Sequence, residues 1–230
     1  MPLNKHVRNL LLPFYRAYYD LKWKQYTRNH TQVNLIIGGA GIHFPGWFET
    51  DIFILDVTNE NQFRHFFSMH KINKVMAEHV LEHLTTQQIE TMLVHLYKYS
   101  APDLNIRIAV PDGFHADPAY INMVKPGGTG NGADDHKHLF TYQSLSALFE
   151  RNKFKPHLLE YWDEQGNFHS HYKNDDKGTI RRSMLNDPRN AGGKPVYTSL
   201  IIDFTKTWLG NFFTEVTLAV DTDYYSESEK

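Results

Sequence analysis

The run Val33-Asn34-Leu35-Ile36-Ile37-Gly38-Gly39-Ala40-Gly41 carries the strongest structural signal in the chain. A short, mostly apolar and β-branched run is typical of a buried strand. The glycines that follow it let the backbone turn tightly and approach a ligand where a Cβ would clash. The pattern predicts a strand that ends in a ligand-binding turn at one edge of an α/β sheet.

Strands and helices alternate outward from this turn. Apolar runs predict further strands at 48–57, 74–77, 104–110, 156–162 and 197–204. Thr85 with Gln88 predicts a capped helix that runs to about Ser100, and Thr141 predicts a second that runs to about Asn152. The connection between the second and third strands is too short for a full helix. The last two strands follow each other without an obvious helix, which predicts a mainly parallel sheet with an antiparallel member.

Composition narrows the class of protein. The 230 residues carry a net charge of -2, which lacks the basic excess of nucleic-acid-binding proteins, so no nucleic-acid partner is expected. The absence of cysteine excludes disulfides and thiolate metal sites and fits a cytoplasmic setting. Because no apolar run approaches the roughly 20 residues of a membrane-spanning helix, no transmembrane segment is expected.

Three regions are expected along the chain: a basic helical extension at 1–30, one domain at 31–207 and an acidic tail at 208–230. The extension interleaves basic with apolar and aromatic residues at near-helical spacing. This pattern has several interpretations: a helix that packs on the domain, one that makes weak contact with a membrane surface, one that binds a partner chain, and one that covers the ligand site. The oligomeric state is left open.

Four further motifs accompany the glycine turn. They are Pro45-Gly46-Trp47, Thr50-Asp51-Ile52, Glu78-His79-Val80-Leu81-Glu82-His83-Leu84 and Arg107-Ile108-Ala109-Val110-Pro111-Asp112. Over residues 33–204 the chain resembles a family of predicted bacterial class I S-adenosylmethionine-dependent methyltransferases, similar to methyltransferase type 11. The resemblance implies a Rossmann-like α/β fold with a mainly parallel seven-stranded sheet, an antiparallel C-terminal strand, and S-adenosylmethionine as cofactor.

The resemblance also implies positions for the cofactor. Gly39 and Gly41 would bracket its methionine moiety, Asp51 would hold the ribose and Asp56 would lie near the adenine. Glu78 joins this predicted cofactor-binding set. An acidic residue that ends the second strand suits the ribose in any case, since a carboxylate accepts hydrogen bonds from both hydroxyls.

Several histidines are predicted to lie near the methyl group that would be transferred. His79, His83 and His136 are candidates for the base that takes the acceptor proton, because imidazole titrates near neutrality. A divalent metal held by His79, Glu82 and His83, with His136 and His138 able to complete the ligand set, is a less favoured alternative. The competing interpretation of Glu82 and His83 is that they cap and orient the next helix.

Arginines and a long loop indicate where the substrate would bind. Arg181, Arg182 and His138 are candidate substrate-binding residues, and Arg189 falls in the same segment between the last two strands, where guanidinium groups could bind carboxylate, phosphate or sulfate. The competing interpretation is a solvated loop whose arginines pair with Asp175, Asp176 or Asp187. The glycine- and proline-rich segment 113–138 predicts a loop that covers the substrate.

The expected function is methyl transfer to a hydroxyl or amine of a small molecule, with saccharide or glycan precursors as the first guess by analogy. Two alternatives are a methyltransferase-like binding subunit without catalysis and a nicotinamide-dependent oxidoreductase or epimerase.

Overall fold

The computed structural model describes residues 5–39 and 41–207, with side chains from Leu11 onward. Ala40 and the predicted tail at 208–230 lie outside the described residues. The strands are β1 (Val33–Ile37), β2 (Phe48–Glu49), β3 (Ile72–Glu78), β4 (Ser100–Pro111), β5 (Phe154–Trp162), β6 (Phe168–Ser170) and β7 (Ser199–Lys206). The α-helices are α1 (Lys5–Asn29), α2 (Glu60–Phe67), α3 (Thr86–Tyr99), α4 (Pro118–Val124) and α5 (Tyr142–Glu150).

All seven strands form one sheet in the order β2-β1-β3-β4-β7-β5-β6. Strands β2, β1, β3 and β4 are parallel neighbours. Strand β7 runs antiparallel between β4 and β5, and β6 runs antiparallel to β5. The expected Rossmann-like α/β fold, with a mainly parallel seven-stranded sheet and an antiparallel C-terminal strand, is thereby confirmed.

The helix starts predicted from capping residues are confirmed. Thr85 and Gln88 form a reciprocal capping box at the start of α3, and Thr141 forms another with Ser144 at the start of α5. In each box a side chain satisfies a backbone N–H that the first helical turn leaves without a partner. These local signals hold because the partners lie only three residues apart.

The region after β2 differs from its prediction. The expected strand at 48–57 is formed only at Phe48–Glu49, because the Asp51 carboxylate accepts hydrogen bonds from the Phe53 and Ile54 amides and turns the chain. The connection expected to be too short for a full helix contains α2, which Asn59 caps and which buries Phe63, Phe66 and Phe67. Eight residues suffice for this helix because its aromatic face packs into the core.

The two faces of the sheet are covered by different parts of the chain. Val33, Leu35 and Ile37 of β1 join the main core cluster, which also contains buried residues of α1, α2, α3 and α5. The alternate residue Ile36 joins a smaller cluster on the other face with Met76, Tyr172 and Ile180. Helices therefore cover one face, and the 171–198 segment between β6 and β7 contributes to the cover of the other.

Helix α1 packs on the sheet through three aromatic residues. Tyr19, Trp23 and Tyr26 are each at most 9% exposed and belong to the main core cluster. Burial of each such side chain contributes about 1.5–3 kcal/mol. Its opposite side exposes Leu11, Phe14, Tyr18 and Leu21. Among the described residues, no helix is both long enough and apolar enough to cross a membrane.

A buried ion network joins the central strands. Arg107 of β4 is 1% exposed and pairs across the sheet with Asp203 of β7, with Nε 2.8 Å from Oδ1 and Nη2 2.9 Å from Oδ2. Its Nη1 also donates to Asp175 Oδ1 at 2.7 Å and to the Gly178 carbonyl at 2.6 Å. One guanidinium thus ties β4, β7 and the segment over the second face together.

Candidate functional site

A cavity of about 490 Å³ lies at the carboxyl ends of the central strands. Its lining includes Gly38 after β1, Glu78 at the end of β3 and Pro111 at the end of β4. Strands β2 and β3 lie on opposite sides of β1, so the chain order reverses there. In open α/β sheets ligands bind in the crevice at such a reversal.

The glycine turn places Gly38 at this cavity. Gly38 has φ +68°, and a Cβ there would lie 2.5 Å from Val80 Cγ2. Gly39 donates its amide to the Thr50 carbonyl at 2.7 Å, and Gly41, at φ +84°, faces open space. Neither Gly39 nor Gly41 is among the residues that line the cavity. The sequence prediction passed over Gly38, although the run of glycines marks it equally.

The two acidic residues predicted for the nucleoside end lie outside the cavity lining. Asp51 uses Oδ1 to accept from the backbone after β2, and its Oδ2 accepts from the Tyr15 hydroxyl at 2.7 Å. Asp56 Oδ1 accepts from the Thr58 amide and hydroxyl at 2.9 and 2.7 Å. The cofactor-binding roles of Asp51 and Asp56 remain predictions.

Glu78 anchors the arginine segment over the end of β3. Its side chain is 1% exposed and accepts from the Arg182 amide at 2.9 Å and from Arg181 Nε at 3.2 Å. These bonds bring Arg181 and Arg182 to the cavity, as the prediction of a substrate-binding role requires. The Glu78 carboxylate therefore already accepts hydrogen bonds from both arginines.

A third arginine, Arg189, also lines the cavity, beside Arg181 and Arg182 of the same segment. Its Nε and Nη2 donate to Asp187 at 2.8 and 2.6 Å, and its guanidinium lies 3.3 Å from the centre of the Tyr197 ring. Stacking on the aromatic ring and a bidentate carboxylate fix the orientation of this cation.

His79 lies just after β3 in a backbone conformation uncommon for a side-chain-bearing residue, at φ +55°. Its Nε2 is 3.0 Å from Ser199 Oγ, and its Nδ1 is 3.1 Å from Glu82 Oε1. Both ring nitrogens therefore have polar neighbours at the cavity wall. Because Ser199 is completely buried, its hydroxyl is placed to orient the imidazole.

Glu82, His83 and His136 meet on one side of the cavity. One carboxylate oxygen and one nitrogen from each imidazole lie within 4.8 Å of one another. His79 contacts Glu82 but is not part of this group, which differs from the predicted ligand set of His79, Glu82 and His83. His136, which the sequence analysis considered as a further ligand, takes part through the chain segment after α4.

His138 lies apart from this group. Its ring packs against Phe140, with ring centres 4.8 Å apart, and it is not among the residues that line the cavity. Burial lowers its pKa, which favours the neutral imidazole. Its predicted role in substrate binding gains no support from this placement.

The predicted loop at 113–138 has structure of its own. Asp117 caps α4, Pro118 occupies its first turn, and the chain then folds back so that Gly128 and Gly130 lie against the end of α4. A Cβ at Gly130 would lie 2.8 Å from the Met123 carbonyl oxygen, which excludes larger residues. Met123, Gly130 and Asn131 form one wall of the cavity.

Comparisons with known proteins give likeness of fold only. No family model matches the chain, and no curated protein sequence matches it. Solved structures that are similar in part include the LepI complex with SAM (TM-score 0.40, 10% identity, 81% of this chain and 39% of that one). Another is a SAM-dependent methyltransferase from Archaeoglobus fulgidus (TM-score 0.39, 15% identity, 81% of this chain and 92% of that one). A third is magnesium protoporphyrin IX methyltransferase from Synechocystis PCC 6803 with bound SAH (TM-score 0.39, 10% identity, 84% of each chain).

The matched part of LepI is 39% of that chain, so this chain spans about two fifths of its length. At these identities and TM-scores the likenesses do not identify what this chain binds or does.

Proposed function

We propose that the protein is an S-adenosylmethionine-dependent methyltransferase that acts on a hydroxyl or amine of a small molecule. One observation carries the proposal: Gly38, Glu78 and Pro111, from the ends of three parallel strands, line one cavity where the strand order reverses. A ligand bound there would face the ends of β1, β3 and β4 together.

The residues fit the proposed cofactor. The volume of about 490 Å³ lies within the range of about 300–1,000 Å³ that is usual for small-ligand sites. Gly38 keeps the floor free of a side chain, and the Asp51 carboxylate offers acceptors for ribose hydroxyls once its bond to Tyr15 is exchanged. We therefore assign the methionine end to Gly38 and the ribose to Asp51, with Gly39, Gly41 and Asp56 as further contacts to test.

S-adenosylmethionine supplies a methyl group on a sulfonium. The acceptor oxygen or nitrogen forms a bond to this methyl carbon, the carbon–sulfur bond breaks, and S-adenosylhomocysteine leaves with the electron pair on sulfur. The acceptor proton must also depart. His79, His83 and His136 all line the cavity, and we propose that one of them accepts this proton.

The acceptor we infer carries an anionic group. Arg181, Arg182 and Arg189 line the same cavity, and Asp187 with Tyr197 fixes the orientation of Arg189. Three guanidinium groups favour a carboxylate, phosphate or sulfate on the acceptor. Sugar phosphates and acidic saccharides are therefore the first compounds to screen.

Calorimetric titration tests the proposal. The wild type is titrated with S-adenosylmethionine, S-adenosylhomocysteine and NAD, beside Asp51→Asn and the control Asp103→Asn, whose exposed carboxylate lies near the other end of β4. We expect micromolar binding of both adenosyl ligands, weakened about 10- to 100-fold in Asp51→Asn alone, from loss of a charged hydrogen-bond acceptor. Binding of NAD alone, or of no ligand, refutes the proposal.

Turnover separates the enzyme from a binding subunit. The protein is incubated with radiolabelled S-adenosylmethionine and the acidic saccharide panel, and transfer of label is measured. Label transfer that Arg189→Ala reduces supports the anionic acceptor. Tight binding of S-adenosylmethionine without transfer of label to any compound of the panel favours the non-catalytic binding subunit.

A further inference from the structure

We propose that Glu82, His83 and His136 bind a divalent transition-metal ion at the wall of the cavity. The three side chains all line the cavity, and one ligand atom from each lies within 4.8 Å of the others. Atoms that share one ion at about 2.1 Å are about 3–4 Å apart, so small side-chain rotations close the site.

The Glu82 carboxylate is the first reason. The residue is 0% exposed, and within the described part of the chain neither of its oxygens has a hydrogen-bond partner. His79 Nδ1 lies 3.1 Å from Oε1, and no described residue donates a hydrogen bond to Oε2. A buried carboxylate without hydrogen bonds is costly, and a missing ion is one of the recognised explanations for such a group.

The outer contacts of the two histidines are the second reason. His136 Nδ1 lies 2.7 Å from the Val124 carbonyl oxygen, which can only accept, so Nδ1 carries the proton there. His83 Nδ1 lies 3.3 Å from Asp135 Oδ2. Both contacts favour a lone pair on Nε2. Metal-binding histidines usually donate their other ring N–H to a carbonyl or a carboxylate in this way.

Two hydrogen bonds from Lys137 hold the two halves of the site together. The Lys137 amide donates to the Glu82 carbonyl at 2.6 Å, and Lys137 Nζ donates to the His83 carbonyl at 2.6 Å. The segment that carries His136 is therefore fixed against the turn that carries Glu82 and His83. A site assembled from two segments keeps its ligand spacing only if the segments are joined, as they are here.

Two imidazoles and one carboxylate suit Zn²⁺, Fe²⁺, Mn²⁺ or Co²⁺ better than Mg²⁺, which prefers oxygen ligands. Three protein ligands leave coordination positions for water or substrate. Because all three side chains line the cavity, the proposed ion would lie at the cavity wall.

The role of the ion rests on the proposed function. A hydroxyl of the acceptor that binds a divalent cation has a lowered pKa, so its proton is released to solvent. The resulting oxygen then takes the methyl group from the sulfonium, which gives a methyl ether and S-adenosylhomocysteine. The ion would thus select a hydroxyl rather than an amine as the acceptor.

Metal binding is measured without S-adenosylmethionine. Untagged full-length protein is stripped with chelator and titrated with Zn²⁺ by calorimetry and with Co²⁺ by visible absorption. We expect one ion per chain, and affinity at least about tenfold weaker in Glu82→Gln and in His136→Gln. Circular dichroism confirms that each variant folds. The control is His157→Gln, which replaces an exposed histidine on β5 and should bind as the wild type does.

His79→Gln decides between the two ligand sets, and we expect it to retain the ion. Absence of binding by the folded wild type, or wild-type affinity in folded His136→Gln, overturns the proposed site. A parallel titration of the stripped protein with S-adenosylhomocysteine keeps the two proposals apart. Adenosyl binding without ion binding refutes only the metal site, and ion binding without adenosyl binding refutes only the methyltransferase.

Discussion

The Tyr15 hydroxyl of α1 donates a 2.7 Å hydrogen bond to Oδ2 of Asp51, the carboxylate that follows β2. Asp51 Oδ1 already accepts from two backbone amides, so Tyr15 takes the oxygen that a ribose would need. Arg16 Nε adds a bond to the Phe53 carbonyl at 3.1 Å. Helix α1 therefore lies over the proposed nucleoside end of the site.

Replacing Tyr15 tests this competition. In Tyr15→Phe the Asp51 oxygen has no intramolecular competitor, so S-adenosylhomocysteine should bind about 3- to 10-fold more tightly, the worth of one net hydrogen bond. Isothermal titration measures the change. Tyr18→Phe, which alters a tyrosine more than half exposed on the same helix, is the control. Unchanged or weaker binding in Tyr15→Phe would mean that the hydroxyl does not compete with the ligand.

The Arg107 network should dominate the stability of the sheet. Arg107→Met leaves the buried carboxylate of Asp203 without its bidentate partner, and removal of one member of a buried pair costs about 3–5 kcal/mol. Urea unfolding gives the free energy. Arg151→Met removes an exposed pair with Glu90 and should cost about 1 kcal/mol or less. Equal losses in the two variants would contradict the central role of Arg107.

Glu160 should make stability depend on pH. Burial raises its pKa from 4.5 to about 7, so the folded state keeps a proton that the unfolded chain loses between these values. The free energy of unfolding should therefore fall as pH rises from about 4.5 to about 7, by up to about 3 kcal/mol from this group.

Glu160→Gln is the matched variant for that dependence. Glutamine can accept from the Met184 amide and donate to Ser170 Oγ, which replaces both bonds of Glu160. The stability of the variant relative to wild type should rise across the same pH window. A difference between the two proteins that stays constant from about pH 4.5 to about pH 7.5 would show that Glu160 does not carry a raised pKa.

The glycine turn gives a comparison between two alanine variants. Both Gly38 and Gly41 have positive φ, but only at Gly38 would a Cβ meet a neighbour, at 2.5 Å from Val80 Cγ2. Gly41→Ala should cost about 1–2 kcal/mol from backbone strain, and Gly38→Ala should cost more. Thermal unfolding measures both. Adding Val80→Ala should recover the excess, and failure to do so would place the cause elsewhere.

Local signals account for what the sequence predicted well. The capping boxes at Thr85 and Thr141 join residues that are three apart in the chain. The glycine run after β1 predicts a turn because glycine adopts positive φ angles without the help of distant residues. The stretch from Glu78 to Leu84 also placed His79 and His83 at the end of a strand, which brings them to the cavity. Such features depend on neighbours in the chain.

Long-range contacts account for part of what the sequence left open. His136 joins Glu82 because Lys137 bonds to the turn after β3, and Arg189 reaches the cavity because Asp187 and Tyr197 hold it there. The shortness of β2 follows from the hydrogen bonds that Asp51 accepts after Glu49. The contacts of His136 and Arg189 depend on tertiary packing, whereas the turn at Asp51 is local, since its carboxylate accepts from amides two and three residues ahead.

A crystal structure of the protein soaked with S-adenosylhomocysteine is the decisive experiment for the assignment of this cavity to methyl transfer. We predict the homocysteine part beside Gly38 in the cavity and the ribose hydroxyls on Asp51, with the Tyr15 hydroxyl displaced from that carboxylate. Ligand density away from the ends of β1 and β3, or none at saturating ligand, would contradict the assignment.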